Sequence, residues 1–283
     1  MKYFKYIAVL LLLAVTMGSC DKKDVSYMAE PVDESSKAYV QICYYAPIST
    51  NAANNMYFVD LNGVQYGNDG ASFLTTYNAV PSGGVNLYYV VDAGMLNVIL
   101  HKRVDMGKND KGETIYDYPI AYNQSVNVEA GKRYAIFIHD MEKPPIAVEM
   151  TPVPKFGKAL DTDSLCRVQF VNVIYENGEP IKDKVQYGLQ NLDTKEYEPV
   201  GEPVAFGEVT SWFMPVVRKT VYNSTGSQRR DVCLFRVDPA TNQIKERMFD
   251  DWWTWYIGRA YRQIAAGNVG GSPALTLKQF VIQ

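Results

Sequence analysis

Titratable chemistry is scarce in this sequence. Its 283 residues include two histidines, His101 and His139, which leaves little room for a multi-histidine metal site. No His-x-His, Cys-x-x-Cys or His-Glu-x-x-His pattern occurs, so the ligand spacings that hold zinc are missing. There is no Gly-x-Ser-x-Gly elbow for a serine nucleophile. Gly83-Gly84 and Gly270-Gly271 lack the context of a phosphate-binding loop. A net charge of −3 lacks the basic excess of nucleic-acid binders. No stretch carries a sustained 3.6-residue apolar stripe between caps, so helices are not expected. The expectation is no catalytic residue, no metal and no cofactor. Missing motifs exclude an enzyme only weakly, and a hydrolase with an unrecognised site stays as a third reading.

Aromatic and turn residues are plentiful instead: 21 Tyr, 11 Phe and 4 Trp, with 20 Gly and 14 Pro. That composition favours strands and turns. At the N-terminus, Lys2 and Lys5 precede the apolar run Ile7 to Val15. The run is too short for a membrane span of about 20 residues. It suits the apolar region of a secretory signal. Met17-Gly18-Ser19-Cys20 then resembles a bacterial lipobox, with Met where Leu is more usual. The resemblance implies a signal peptide over 1–19, cleavage before Cys20, acylation of its thiol and a tether over 20–36. Asp21-Lys22-Lys23-Asp24 resembles the export signal of Bacteroidota surface lipoproteins, which implies an outer-membrane anchor displayed outward. Losing Lys2 and Lys5 would take the charge from −3 to −5. Cys43, Cys166 and Cys233 remain. Buried free thiols are the preferred reading, and a Cys166–Cys233 bridge stays open.

Beyond the tether, short apolar runs recur between Gly, Pro and Asn. Val40, Ile42 and Tyr44 alternate with Gln41 and Cys43, the period of a strand with one buried face. Runs follow at 56–59, 72–77, 85–91, 95–103, 114–121, 126–128 and 133–140, spaced as in an antiparallel sandwich. Prolines at 144, 145, 152 and 154 mark a linker, placed at 151–163. Strand-like sequence resumes near Leu165, with runs at 185–189, 209–222, 232–237, 252–261 and 275–282. The reading is all-β: two tandem sandwiches over 37–150 and 164–283. Tyr39-Val40-Gln41-Ile42 and Arg167-Val168-Gln169-Phe170 echo each other at an offset of 128 residues. Within the first half, Val91-Asp92-Ala93-Gly94 and Val128-Glu129-Ala130-Gly131 each lead into an alternating run. There a glycine can take positive φ at a tight turn.

These residues carry a family resemblance. The Tyr45-Ala46-Pro47 turn, the strand reaching Val59-Asp60-Leu61-Asn62-Gly63 and the two Ala-Gly turns look like a sandwich domain of unknown function common in Bacteroidota lipoproteins. The resemblance covers about residues 37–150 and implies an Ig-like or transthyretin-like fold without assigned catalytic residues.

The cluster with most promise is Asp250-Asp251-Trp252-Trp253-Thr254-Trp255-Tyr256. On a strand, Trp253 and Trp255 share one face and Trp252, Thr254 and Tyr256 the other. One face must be core; the other could offer rings to a ligand. Trp212, beside Phe213 and Met214, reads as core. His101 and His139 read as exposed or edge-strand residues, and the polar stretch 105–117 as a hairpin loop without the ligand pattern of a calcium site. Asp163-Ser164-Leu165 resembles a Bacteroidota O-glycosylation sequence at Ser164. The leading expectation is a non-catalytic, lipid-anchored surface protein that binds glycan or another envelope protein through Trp252, Trp253, Trp255 and Tyr256. The alternative is a fimbrial subunit or anchor assembling by strand donation, with 275–283 as the strand that closes its own domain or is donated.

Overall fold

The computed structural model describes residues 34–282 except 50, 68–70, 76, 78–87, 156–164 and 218–225. The signal peptide, Cys20, most of the tether and Ser164 lie outside the described residues. Glu34–Gln283 form one compact unit, and its described residues are all-β apart from one turn of 3-10 helix at Ala52–Asn54.

The first sandwich faces two four-stranded sheets. One holds β1 (Lys37–Tyr44), β4 (Tyr89–Asp92), β9 (Arg133–Ile138) and β10 (Ile146–Glu149) in the order β10-β9-β1-β4. The other holds β2 (Met56–Leu61), β3 (Val64–Gly67), β5 (Gly94–Lys102) and β8 (Ile120–Val128) in the order β3-β2-β5-β8. Val40, Ile42 and Tyr44 meet Val59, Leu61, Val98 and Leu100 in the core between them. Gly94 and Gly131 take φ of +112° and +75°, the conformation expected of both Ala-Gly turns. A separate two-stranded hairpin, β6 (Val104–Lys108) and β7 (Thr114–Asp117), leaves the sandwich between β5 and β8. It occupies the stretch expected to be a hairpin loop.

The second sandwich repeats the plan. β11 (Arg167–Glu176), β12 (Glu179–Pro180), β17 (Ala260–Val269) and β18 (Thr276–Ile282) run β12-β11-β17-β18. β13 (Lys184–Gln190), β14 (Tyr197–Val204), β15 (Ser227–Val237) and β16 (Ile244–Tyr256) run β14-β13-β15-β16. Among the described strands each sandwich has one parallel pair in an otherwise antiparallel arrangement, β1 with β9 and β11 with β17. The two copies of the sequence echo therefore occupy the same place. Val40 lies beside Tyr134, and Val168 beside Tyr261. Both tyrosines close a corner: the Tyr134 hydroxyl accepts from the Glu129 N–H at 3.3 Å, and the Tyr261 hydroxyl from the Tyr256 N–H at 2.8 Å. The bond spans five residues in each sandwich. This match extends the internal echo from four residues of sequence to a shared parallel pair; the strand on its other side differs, since β4 follows β3 and pairs with the start of β1, whereas β12 follows β11 directly and pairs with its end.

Three expectations are corrected. The described part of the run 209–222, residues 209–217, forms no strand; within it Val209, Phe213 and Val216 make isolated bridges to β11 or to Leu165 just before it. The run 252–261 is split by a turn at 257–259, with β16 ending at Tyr256 and β17 starting at Ala260. β1 does not have one buried face but two. Gln41, Cys43 and Tyr45, on the face turned away from the first core, are buried as well. Cys43 and Tyr45 meet Phe137 and Val148 of the same sheet and Val171, Val173, Ile264 and Ala266 of the second sandwich. The sheets β10-β9-β1-β4 and β12-β11-β17-β18 thus pack on each other, which gives four layers of sheet.

The seam also carries a polar thread. Arg262 donates to Gln169 at 3.3 Å and to Gln41 at 3.4 Å, so the equivalent glutamines of the two copies share one guanidinium. Gln169 in turn donates to Thr151 Oγ1 at 3.0 Å and to the Thr210 carbonyl at 3.2 Å. Buried polar groups need such partners, since an unmet one costs roughly 1–3 kcal/mol.

Candidate functional site

Among the described residues β16 is a long edge strand paired only with β15. Two register shifts near Leu234/Phe235 and Arg236/Val237 set which of its side chains face inward. From Asp250 onward the pairing is regular and alternation holds. Trp255 points into the core with 0% of its surface exposed. Its indole N–H donates to Gln279 at 2.8 Å, and its ring lies 6.5 Å from that of Tyr261, interplanar angle 29°. Trp253, on the same face, packs half-buried against that core. These two rings are structural. Trp253 and Trp255, named with Trp252 and Tyr256 as ligand residues, thus lie on the face of the strand that is core.

Trp252 and Tyr256 lie on the outer face. Trp252 is 51% exposed, and the Arg229 guanidinium sits 4.4 Å from its ring centre. Arg259 sits 4.2 Å from the Tyr256 ring in the same way. A third pair, Arg247 over Tyr197 at 4.6 Å, continues the pattern onto β14. Arg229 also pairs with Asp231 at 3.2 Å, and Arg247 with Asp250 at 3.2 Å. Each ring is held by a cation on one side, which contributes about 0.5–1 kcal/mol at an exposed site. The arginine partners come from β15, from the β16–β17 turn and from β16 itself. Their aromatic targets could not be assigned from spacing along the chain.

Beside Tyr256, a cleft of about 450 Å³ opens where β11 and β17 begin and β18 ends, lined by Val153, Arg167, Arg259, Ala260, Val281 and Ile282. Arg259 borders both the cleft and the aromatic face. The combination can stack a flat apolar surface and donate planar hydrogen bonds to oxygen atoms next to it.

Other sequence candidates fall elsewhere. His139 is not exposed and not on an edge strand; it follows β9 in the seam, buried between the sandwiches. Its Nδ1 is hydrogen-bonded to the Tyr175 hydroxyl, and Phe206 meets the ring edge-on at 5.5 Å. Burial holds its pKa below the ordinary 6.5, against the opposing pull of Asp140 and the Pro144 carbonyl. His101, at the end of central strand β5, is half-buried, with Nδ1 3.0 Å from the Tyr118 carbonyl. Trp212 is half-buried rather than core; its N–H donates to the Thr151 carbonyl at 3.4 Å. Cys43, Cys166 and Cys233 are buried free thiols, each pushed up to about 12 by burial. Cys233 fits because Gly188 opposite it has no side chain; a Cβ there would lie 2.3 Å from the sulfur. Among the described residues, no three His, Cys, Asp or Glu are grouped to hold a metal ion.

No family model matches the chain. The resemblance of residues 37–150 to a domain of unknown function therefore gains no support from that comparison. No curated protein matches either. One solved structure with a partial likeness is that of a "putative adhesin from Bacteroides ovatus". It shares 10% identity over 88% of this chain and 94% of that chain, with a TM-score of 0.20. A likeness that slight carries no argument about this chain.

Proposed function

We propose that this chain is a non-catalytic binding protein of the cell surface, anchored through an acylated Cys20, whose outer β16 face takes glycan. One observation supports the reading above the rest. Trp252 and Tyr256 present rings outward, and Arg229 and Arg259 hold them in place. A sugar ring stacks its C–H face on such a ring, while its hydroxyl or carboxylate oxygens accept from the guanidinium. Preorganised rings lose little side-chain freedom on binding, which lowers the entropic cost.

A glycan array probed with the full chain tests the reading, followed by titration of the best hit. Trp252→Ala combined with Tyr256→Ala is expected to abolish binding while the melting temperature stays put. Undiminished affinity in that double variant would end the proposal. The strand-donation alternative finds less support, because β18 pairs with β17 from Ala260↔Ile282 to Ala266↔Thr276 and closes its own sheet.

A further inference from the structure

The cleft beside Tyr256 is a mouth of the seam. Arg167, Ala260 and Ile282 stand level across β11, β17 and β18. Two residues further along, Gln169 and Arg262 occupy the same face, where Arg262 meets Gln41 of the first sandwich. The second sandwich thus carries the seam face past that contact, and Val153 of the linker adds a further wall. The turn at 257–259 forms the rim and is pinned in place. The Gly258 N–H donates to the Leu165 carbonyl at 2.8 Å, and the Arg259 carbonyl accepts from the Arg167 N–H at 2.9 Å. Those bonds hold the two arginine backbones side by side. The Tyr256 ring, 4.2 Å from the Arg259 guanidinium, steadies that side chain as well.

Charge at this rim decides the chemistry of what it takes. Arg229 and Arg247 lie over rings too, but Asp231 and Asp250 neutralise them. Arg259 pairs with no carboxylate among the described residues. The cleft it borders is lined by a second guanidinium, Arg167, and by no acidic residue among those described. The surplus positive charge of the β16 face is therefore concentrated at the cleft. A neutral sugar gains ordinary hydrogen bonds there, whereas a carboxylate gains a planar, charge-assisted pair. The other walls, Val153, Ala260, Val281 and Ile282, are apolar. They suit the C–H face of a sugar ring and lower the local dielectric, which strengthens the ion pair. The volume, about 450 Å³, lies in the range of small-ligand sites, roughly 300–1,000 Å³. We propose that the glycan taken by this protein is acidic: the carboxylate of a sugar acid is held by Arg259 in the cleft, beside Arg167, and the chain runs on over Tyr256 toward Trp252. The proposal rests on the glycan reading and names the ligand class of that same site.

The test is a glycan panel in which each uronic-acid oligosaccharide is matched by its carboxyl-reduced and its sulfated neutral counterpart, titrated against the full chain. Binding is expected in the carboxylate members and should fall about tenfold or more on carboxyl reduction, the loss of one charge-assisted bond. Arg259→Gln should cause a similar fall for the acidic member and little change for the reduced one. Its melting temperature should hold, since Arg259 is exposed. Arg259→Lys keeps the charge without the planar fork, so it should restore binding only in part. Equal affinity for acidic and reduced members, or acidic binding indifferent to Arg259→Gln, would overturn the proposal. Sulfated members binding as well as the carboxylates would overturn the carboxylate assignment. Binding confined to neutral glycans and lost in the Trp252→Ala, Tyr256→Ala variant would sink this proposal yet leave the glycan reading standing. No binding to any member would end both.

Discussion

The packing of the two sandwiches on each other can be tested through one ring. Phe137 lies on β9, in the seam, with 0% of its surface exposed and its ring 5.8 Å from that of Tyr45. Burying a phenylalanine removes roughly 150–250 Å² from water. At about 25 cal/mol per Å² this is roughly 4–6 kcal/mol, an upper bound because unfolded chains already bury some surface. Cavity-forming Phe→Ala substitutions cost about 3–5 kcal/mol, so the two routes agree. For a chain of this size that corresponds to a fall in melting temperature of roughly 6–20 °C. The placement of tryptophan makes the assay decisive. Trp212, Trp252, Trp253 and Trp255 all belong to the second half of the chain, whereas Phe137 belongs to the first. Tryptophan fluorescence therefore reports the second sandwich alone. If the seam couples the two, Phe137→Ala will shift the fluorescence-detected urea midpoint together with the midpoint by circular dichroism. A fluorescence transition that moves by less than about 0.5 kcal/mol, the range of a neutral surface change, would show that the sandwiches unfold independently.

Further outcomes follow from single contacts. Gly188→Ala should destabilise by about 1–3 kcal/mol, the cost of overpacking. Cys233→Ala should relieve only part of that in urea melts, because Phe235 Cε2 would still lie 2.5 Å from the new Cβ. His139 should make stability pH-dependent. Burial lowers its folded-state pKa, so below pH 6.5 the unfolded chain binds more protons. Stability is then full above pH 6.5 and falls with acid down to the folded-state pKa; a urea midpoint that rises on acidification through this window would contradict the assignment. Arg236 bonds Glu176 and Asp183 and holds both carboxyls below their ordinary range, though for Asp183 the bond from Lys245 is the larger cause. Arg236→Gln should cost about 1–3 kcal/mol by leaving partly buried carboxylates poorly matched, read from thermal melts at neutral pH. Ellman's reagent should leave Cys43, Cys166 and Cys233 unlabelled in the native chain and reach all three in urea; fast native labelling of any would show that its burial is wrong.

The sequence alone determined a good deal here, and for a local reason. Alternation of period two marked β1 and β5, and the Ala-Gly pairs marked turns where φ must be positive. Turn chemistry and side-chain alternation are properties of a few adjacent residues, so they can be read along the chain. The same rule separated Trp253 and Trp255 from Trp252 and Tyr256, without saying which pair faced water. The register of β16 against β15 settled that, and register depends on two bulges that no residue pattern announced. Only tertiary structure covered the second face of β1, since alternation shows that a strand has two faces but not what lies on each. A strand carrying Gln41, Cys43 and Tyr45 outward looks half-exposed until a second sheet brings Gln169, Val171 and Arg262 against it. His139 misled for the same reason: what buries it, Tyr175 and Phe206, lies far along the chain. Contacts between distant residues depend on how sheets stack, and no short stretch of sequence holds that information.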